Sequence, residues 1–408
     1  MTAFVESPSS PSWSRYLRRL IASEISSVTR YYDRVIHWRP LPDDTRYLFH
    51  RVECPSMHIL REGEDFPDLR GQKTERSAVL LNGNLNFHSE HQGWVENPME
   101  LNSRIYVAGH RGLVGSALVR KLHSEGYGNL LLKTRQELDL LDQAAVHRFF
   151  RESRVEYVFL AAARVGGIVA NSRYPADFLY ENLVVGTNVV HAAAESGVEK
   201  LLNLGSSCIY PRLAPQPIRE ESLLTAALEP TNEGYAIAKI AILKLCENYW
   251  RQHKKRFISA MPTNLYGPGD DFHPETSHVI PGMMRRFHEA KVAQTSEVVV
   301  WGTGKPMREF LHVDDLASAL VLLMQKHESA EFINVGTGKD CTIAELADTM
   351  KAVVGYPGQI RYDPSKPDGT PRKVLDIRRI AAFGWTPRYS LEDGLKQVYQ
   401  WALAHHAF

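Results

Sequence analysis

Cysteine is scarce in this chain, with four residues in 408. Cys54, Cys208, Cys246 and Cys341 stand far apart without paired spacing. That excludes a disulfide-stapled framework and gives no cysteine-based zinc site, and Cys246 and Cys341 read as core residues. An excess of either charge is also missing. Lys and Arg total 48 against 47 Asp and Glu, for a net charge of +1, so nothing points to nucleic acid or an acidic membrane surface as partner. No apolar run reaches the roughly twenty residues needed to cross a bilayer. The opening residues lack the hydrophobic stretch of a signal peptide, and Glu6, Glu24 and Asp33 dilute any resemblance to a transit peptide. No internal repeat is present. These absences leave a cytoplasmic enzyme long enough for two or three domains.

Residues 1–98 differ in texture from the rest. Trp13 to Val28 has the composition of a short basic amphipathic helix, but the following stretch mixes Pro, Arg, Asp, His and Gly without sustained period. It offers too little organised apolar surface to offset the entropy of ordering it, so the segment is expected to be a poorly ordered, dispensable extension. The competing expectation is a targeting or docking arm that uses the basic Trp13 to Val28 stretch. His88 and His91 are spaced His-xx-His in a polar stretch without further ligands, and no metal site is expected there or elsewhere. Met99 stands five residues before the first core strand and reads as a natural start.

From Arg104 the pattern changes. Arg104 to Ala108 reads as a buried strand running into Gly109-His110-Arg111-Gly112-Leu113-Val114-Gly115 and then an apolar-periodic helix through Leu122. Glycines at these positions let the backbone turn tightly and approach a pyrophosphate, whose charge then sits on the helix N-terminus. The spacing is Gly-xx-Gly-xx-Gly, an approximate form of the dinucleotide fingerprint. Asn129 to Leu132, Tyr157 to Ala161 and Lys200 to Gly205 are further short apolar runs, separated by helical patterns such as Asp142 to Arg151 and Phe178 to Ser196. This alternation predicts an α/β fold, a Rossmann-type doubly wound parallel sheet covered on both faces. The second strand ends in Lys133-Thr134-Arg135 rather than an acidic residue, which suits the 2′-phosphate of NADP(H), with Arg111 and Arg135 placed to hold it.

The chemistry is carried by Ser206-Ser207-Cys208 at a strand end and Tyr235-Ala-Ile-Ala-Lys239 beyond it. On a helix, tyrosine and lysine four apart share one face. There the ammonium is expected to lower the pKa of the phenol, so that the phenol trades a proton with a carbonyl oxygen while a hydride moves at carbon.

The runs AGHRGLVGSAL, LGSSCIYP, EPTNEGYAIAKIA, MPTNLYGP, HVIPGMMRRFHEA, VVWGTGKPMREFLHVDDLA and SKPDGTPRK resemble the GDP-L-fucose synthase family of the extended short-chain dehydrogenase/reductase superfamily. The resemblance runs from about Arg104 to Trp401. It implies epimerisation of GDP-4-keto-6-deoxy-D-mannose at C3 and C5, then reduction at C4 by NADPH. It implies NADP contacts at Leu204, Gly205, Ser206, Ser207, Lys239, Pro262, Thr263, Asn264, Leu265 and His278, in addition to the glycine loop. Cys208 and His278 match the family's base and acid, and Ser206, with Ser207 as the adjacent candidate, its carbonyl-binding serine. Arg286, Trp301, Arg308, Asp368 and Lys373 match nucleotide-end positions, Asp368 for the guanine edge and the cations for the diphosphate. Dehydratases of the superfamily carry Asp-Glu where this chain has Cys208-Ile209, which argues against elimination of water.

The resemblance further implies a nucleotide-binding domain over 99–267 and a smaller, discontinuous substrate lobe mainly in 268–408. The lobe is expected to take in the Gly267 to Asp270 loop, Val298 to Pro306 and Asn334 to Pro371, while Leu311 to Gln325 returns to the first domain. A homodimer paired through a four-helix bundle is expected. The alternatives are an NAD-recycling 4-epimerase, which needs neither Cys208 and His278 nor a 2′-phosphate site, and a non-catalytic cofactor binder, which has no reason to keep Tyr235 and Lys239.

Overall fold

The computed structural model describes residues 99–408 apart from Glu275 and Pro367, and the backbone of four short strands ahead of them. The chain divides into two compact units, Met1–Asn97 and Pro98–Phe408. In the first, Trp38–Pro40 pairs antiparallel with Tyr47–Phe49, and Ser77–Leu81 with Asn84–His88. The helix expected over Trp13 to Val28 lies outside the described residues, as do His91 and most of the stretch expected to be poorly ordered.

The second unit is built on six parallel strands: β1 (Ile105–Ala108), β2 (Leu130–Leu131), β3 (Tyr157–Leu160), β4 (Lys200–Leu204), β5 (Arg256–Pro262) and β6 (Ile333–Val335). Their spatial order is β6-β5-β4-β3-β1-β2, all pairs parallel. Every residue of β1, β3 and β4 is buried, as a strand covered on both faces requires. One face is closed by the helices Leu113–Ser124 and Val313–Lys326, so the segment around Leu311 to Gln325 lies on this sheet. The other is closed by Gln143–Ser153, Pro175–Glu195 and Glu233–His253.

Local chemistry sets the helix ends. Asp142 caps Gln143–Ser153 by accepting the Ala145 amide at 3.0 Å. Pro175 opens its helix three residues ahead of the expected Phe178, because a fixed φ and a missing N–H cost nothing in a first turn. Helices Pro175–Glu195 and Glu233–His253 start at the same end and run side by side. A Cβ on Gly234 would stand 2.8 Å from the Pro175 carbonyl, and one on Gly186 2.4 Å from Ile242 Cγ1, so both glycines are set by close helix approach.

The smaller lobe centres on strand Met307–His312. It pairs parallel with Asn264–Tyr266 and Arg372–Lys373, and antiparallel with Asp340–Thr342. A second parallel pair joins Glu297–Trp301 to Gln359–Asp363. Helices Val279–Val292, Ile343–Val354 and Leu391–Ala404 surround the lobe's core. Asn334, expected in this lobe, instead belongs to β6, where it accepts from the Tyr210 hydroxyl at 2.5 Å. Glu309 is fully buried and joins the two halves. It accepts from the amides of Thr337 (2.6 Å), Gly338 (2.7 Å) and Leu375 (2.9 Å), which offset the cost of burying a carboxylate. Among the described residues no helix is long and apolar enough to cross a membrane.

Candidate active site

β4 ends at Leu204, and the chain turns through Gly205 into a single 3-10 turn, Ser207–Ile209. Ser206 caps it: its backbone is extended and its Oγ accepts the Cys208 amide at 3.2 Å. Ile209 is wholly buried and pins the turn to the core, leaving Cys208 only partly covered. Tyr235 sits in the first turn of the 21-residue helix Glu233–His253, with Lys239 one turn on. The Lys239 Nζ donates to the Leu204 carbonyl at 2.8 Å and stands 5.8 Å from the Tyr235 ring centre. Ser206 lies close enough to the Tyr235 phenol to favour its ionised form. Ser206, Cys208, Tyr235 and Lys239 therefore meet at the C-terminal end of the sheet.

The electrostatics differ from the sequence expectation. Burial drives the Tyr235 phenol upward, the neighbouring Cys208 adds to this, and Ser206 opposes it. Burial also lowers the Lys239 ammonium to about 8. Desolvation decides the direction, and the phenol is held in its proton-bearing form, the one a carbonyl reduction consumes.

Two donors face the sulfur of Cys208. Asn232 Nδ2 lies 3.3 Å from Sγ and Lys373 Nζ 3.8 Å. Sequence reasoning missed Asn232 and assigned Lys373 to a diphosphate. The pairing of Arg308 with Lys373 across two parallel strands brings the lysine to the cysteine, a register no local pattern reveals. Asn232 lines both clefts beside the site, one with Pro230 and Tyr235, the other with Cys208, Glu229 and Thr370. Its Oδ1 is buried without a partner, an acceptor suited to a sugar hydroxyl. His278 is exposed and stands just ahead of helix Val279–Val292, at its N-cap position without a side-chain cap bond. Surrounding protein lowers its imidazole, and Asp271 opposes that. The neighbouring Ser277 carbonyl lies 3.4 Å from where a Gly167 Cβ would stand. Among the described residues, His278 makes no hydrogen bond to Ser206, Cys208 or Tyr235.

The glycine loop fits a dinucleotide. Gly109 has φ +82°, and a Cβ there would lie 2.8 Å from Ala162 Cα; one on Gly115 would lie 2.0 Å from the Gly109 carbonyl oxygen. Gly112 opens helix Leu113–Ser124 with no side-chain cap and no acidic residue in the first turn, leaving its amides for an anion. Among the loop residues, His110 has a buried Nδ1 without partner, Arg111 is exposed, and Leu113 and Val114 begin the helix. Arg111 and Lys133 both act on Glu137, while Arg135 lies outward at 3.8 Å from Asp139. The two arginines thus face different carboxylates. Pro262 ends β5, the Thr263 amide donates to Val335 at 3.0 Å, and Asn264 Nδ2 donates to the Glu309 carbonyl at 2.8 Å, fixing the backbone that leads to Leu265.

At the far end, Arg286 is tied to the carbonyls of Gly282 (3.2 Å) and Val299 (3.1 Å), with its guanidinium 6.0 Å from the exposed Trp301 ring. Lys366 approaches the same ring at 5.5 Å. Arg308 is lowered by burial, with Asp368 and Glu229 opposing. Asp368 accepts the Thr303 amide at 2.7 Å and the Thr303 hydroxyl at 2.8 Å, so both its oxygens already tether two loops.

Comparison with known proteins follows the same lines. Residues 105–336 match the NAD dependent epimerase/dehydratase family. The chain is similar to GDP-L-fucose synthase 1 of Arabidopsis thaliana, 60% identical over 309 residues, covering 76% of this chain and 96% of that one. It is 58% identical to the GDP-L-fucose synthase of Escherichia coli (strain K12), covering 74% and 96%. Among solved structures, a GDP-L-fucose synthetase from Naegleria fowleri bound to NADP superposes with a TM-score of 0.70 at 30% identity, over 76% of this chain and 97% of that one.

Proposed function

The chain belongs to the NAD dependent epimerase/dehydratase family, and we propose that within it the protein is a GDP-L-fucose synthase, which epimerises GDP-4-keto-6-deoxy-D-mannose at C3 and C5 and reduces C4 with NADPH. The observation that carries this reading is a cysteine faced by two donors at the same strand end as a serine, tyrosine and lysine. Incubation with the keto sugar and NADPH tests it: one cofactor is oxidised per sugar converted, whereas conversion without net oxidation belongs to a 4-epimerase.

A ketone at C4 makes the protons on C3 and C5 acidic. The Cys208 sulfur removes one, and Asn232 and Lys373 hold the sulfur that has taken part. Ser206 and Tyr235 donate to the enolate oxygen. His278 returns a proton from the opposite face, taking it up from solvent against the downward shift of its imidazole, and exchange with water resets the pair before the second carbon. NADPH, when bound, supplies the hydride for C4. Tyr235 gives the oxygen its proton, and Lys239 braces the turn through the Leu204 carbonyl. The glycine loop, Arg111 and Arg135 would hold the dinucleotide. Arg286, Arg308, Trp301 and Lys366 receive the GDP end, and Asp368 keeps their loops together.

Arg135→Ala raises KM for NADPH by about tenfold and leaves KM for NADH nearly unchanged, because only the former has a 2′-phosphate to lose. Steady-state kinetics with both cofactors check this, and equal effects would remove Arg135 from the role.

Further features support a homodimer in the cytoplasm. Tyr180 (65% exposed) and Ile237 (42% exposed) lie on the adjacent helices Pro175–Glu195 and Glu233–His253, an apolar face that suits a two-fold helical interface. Cys208, Cys246 and Cys341 are free thiols, as a reducing compartment favours. The catalytic unit is taken to begin at Met99, with nucleotide-binding residues to about 267 and the substrate lobe mainly beyond. A chain started at Met99 keeps its activity and a dimeric mass by light scattering. Loss of activity would make the extension integral, and a monomeric mass would remove the dimer.

A further inference from the structure

Away from the catalytic pocket, three side chains converge on the outer helical layer. Glu195 is the last residue of helix Pro175–Glu195, His191 lies one turn before it, and His147 comes from helix Gln143–Ser153. His147 Nδ1 is 3.3 Å from Glu195 Oε2, His191 Nε2 is 3.3 Å from Glu195 Oε1, and one ligand atom from each residue falls within 4.8 Å of the others. A tetrahedral ion with bonds of about 2.0–2.1 Å holds its ligands roughly 3.3–3.4 Å apart, and each imidazole nitrogen already stands at that separation from one of the two Glu195 oxygens.

The surroundings suit a cation. The Tyr249 hydroxyl sits 2.6 Å from His191 Nδ1, which orients the ring and leaves Nε2 for an ion, the usual outer support of a metal-bound histidine. The helix ends at Glu195, where free carbonyls concentrate negative potential. The side chains of His147, His191 and Glu195 are 20%, 44% and 56% exposed, so an ion reaches them from solvent. Gly234 lies beside Pro175, and Tyr249 beside His191, along the two parallel helices. The fourteen steps along the helix from Tyr235 to Tyr249 span about 21 Å at roughly 1.5 Å per residue, so the cluster is remote from the chemistry.

We propose that His147, His191 and Glu195 form a binding site for one divalent transition-metal ion of the zinc, cobalt or nickel type, which clips helix Gln143–Ser153 to helix Pro175–Glu195. The ion is held by two imidazoles and a carboxylate, with water completing the shell. Sequence reading missed it because His191 and Glu195 show only an ordinary helical spacing, and the third ligand is supplied by the fold.

Co2+ titrated into the full chain, freed of metal by a chelator, tests the site. One ion binds per chain with a visible d–d band and no sulfur-to-metal charge-transfer band. His147→Asn and His191→Asn each weaken binding by about tenfold or more, and the double variant loses the band while retaining NADPH-dependent turnover. Saturating Zn2+ raises Tm of the parent chain but not of the double variant. Absence of the band at millimolar Co2+, or an unchanged band in the folded double variant, overturns the proposal.

Discussion

Tyr235→Phe lowers NADPH oxidation on the order of 10²–10⁴-fold, the range expected when a positioned general acid is removed. The change deletes one oxygen and preserves the ring, so the helix Glu233–His253 and the bond from Lys239 to the Leu204 carbonyl remain. What is lost is a phenol held in its proton-bearing form by burial, close to Ser206. Ser206 stays available to the enolate, so exchange of the C3 and C5 protons with solvent falls much less than reduction does. Paired measurement of NADPH oxidation and of deuterium uptake by NMR separates the two. Equal loss of both would mean that Tyr235 serves chiefly to bind the sugar.

Cys208→Ser removes epimerisation by a similar factor, on the order of 10²–10⁴-fold, because a hydroxyl is a far weaker acid than a thiol and does not serve as the proton-abstracting anion. The side chain keeps nearly its size, and Asn232 and Lys373 still face it. Deuterium uptake at C3 and C5 disappears, while slow reduction of the unepimerised ketone continues at the intact Tyr235. GDP-L-fucose formed at the parent rate would remove Cys208 from the role of base.

Much of this architecture is visible in the chain itself. The short apolar runs at Tyr157 and Lys200 lie in a sheet covered on both faces, so their burial is written as continuous hydrophobicity. Gly109 and Gly115 are legible because a side chain at either would collide with backbone. Other features are set only by contacts between distant segments. The two-residue strand Arg372–Lys373 exists through its register with Met307 and Arg308, and that register places Lys373 beside the Cys208 sulfur, a neighbour no local pattern reveals. Asn232 carries no motif of its own. The direction of the Tyr235 shift depends on how deeply the phenol is buried, which a Tyr-xxx-Lys spacing does not specify. Ile333–Val335 likewise gains its place in the large sheet by pairing with β5 rather than by any pattern separating it from the lobe sequence around it.

The most direct measurement is conversion of GDP-4-keto-6-deoxy-D-mannose by the full chain with NADPH in heavy water, following cofactor oxidation and identifying the sugar by NMR. The account predicts GDP-L-fucose with deuterium at both C3 and C5 and one NADPH oxidised per molecule formed. A C4-reduced sugar without deuterium at those carbons, or a converted sugar with no NADPH consumed, would contradict it.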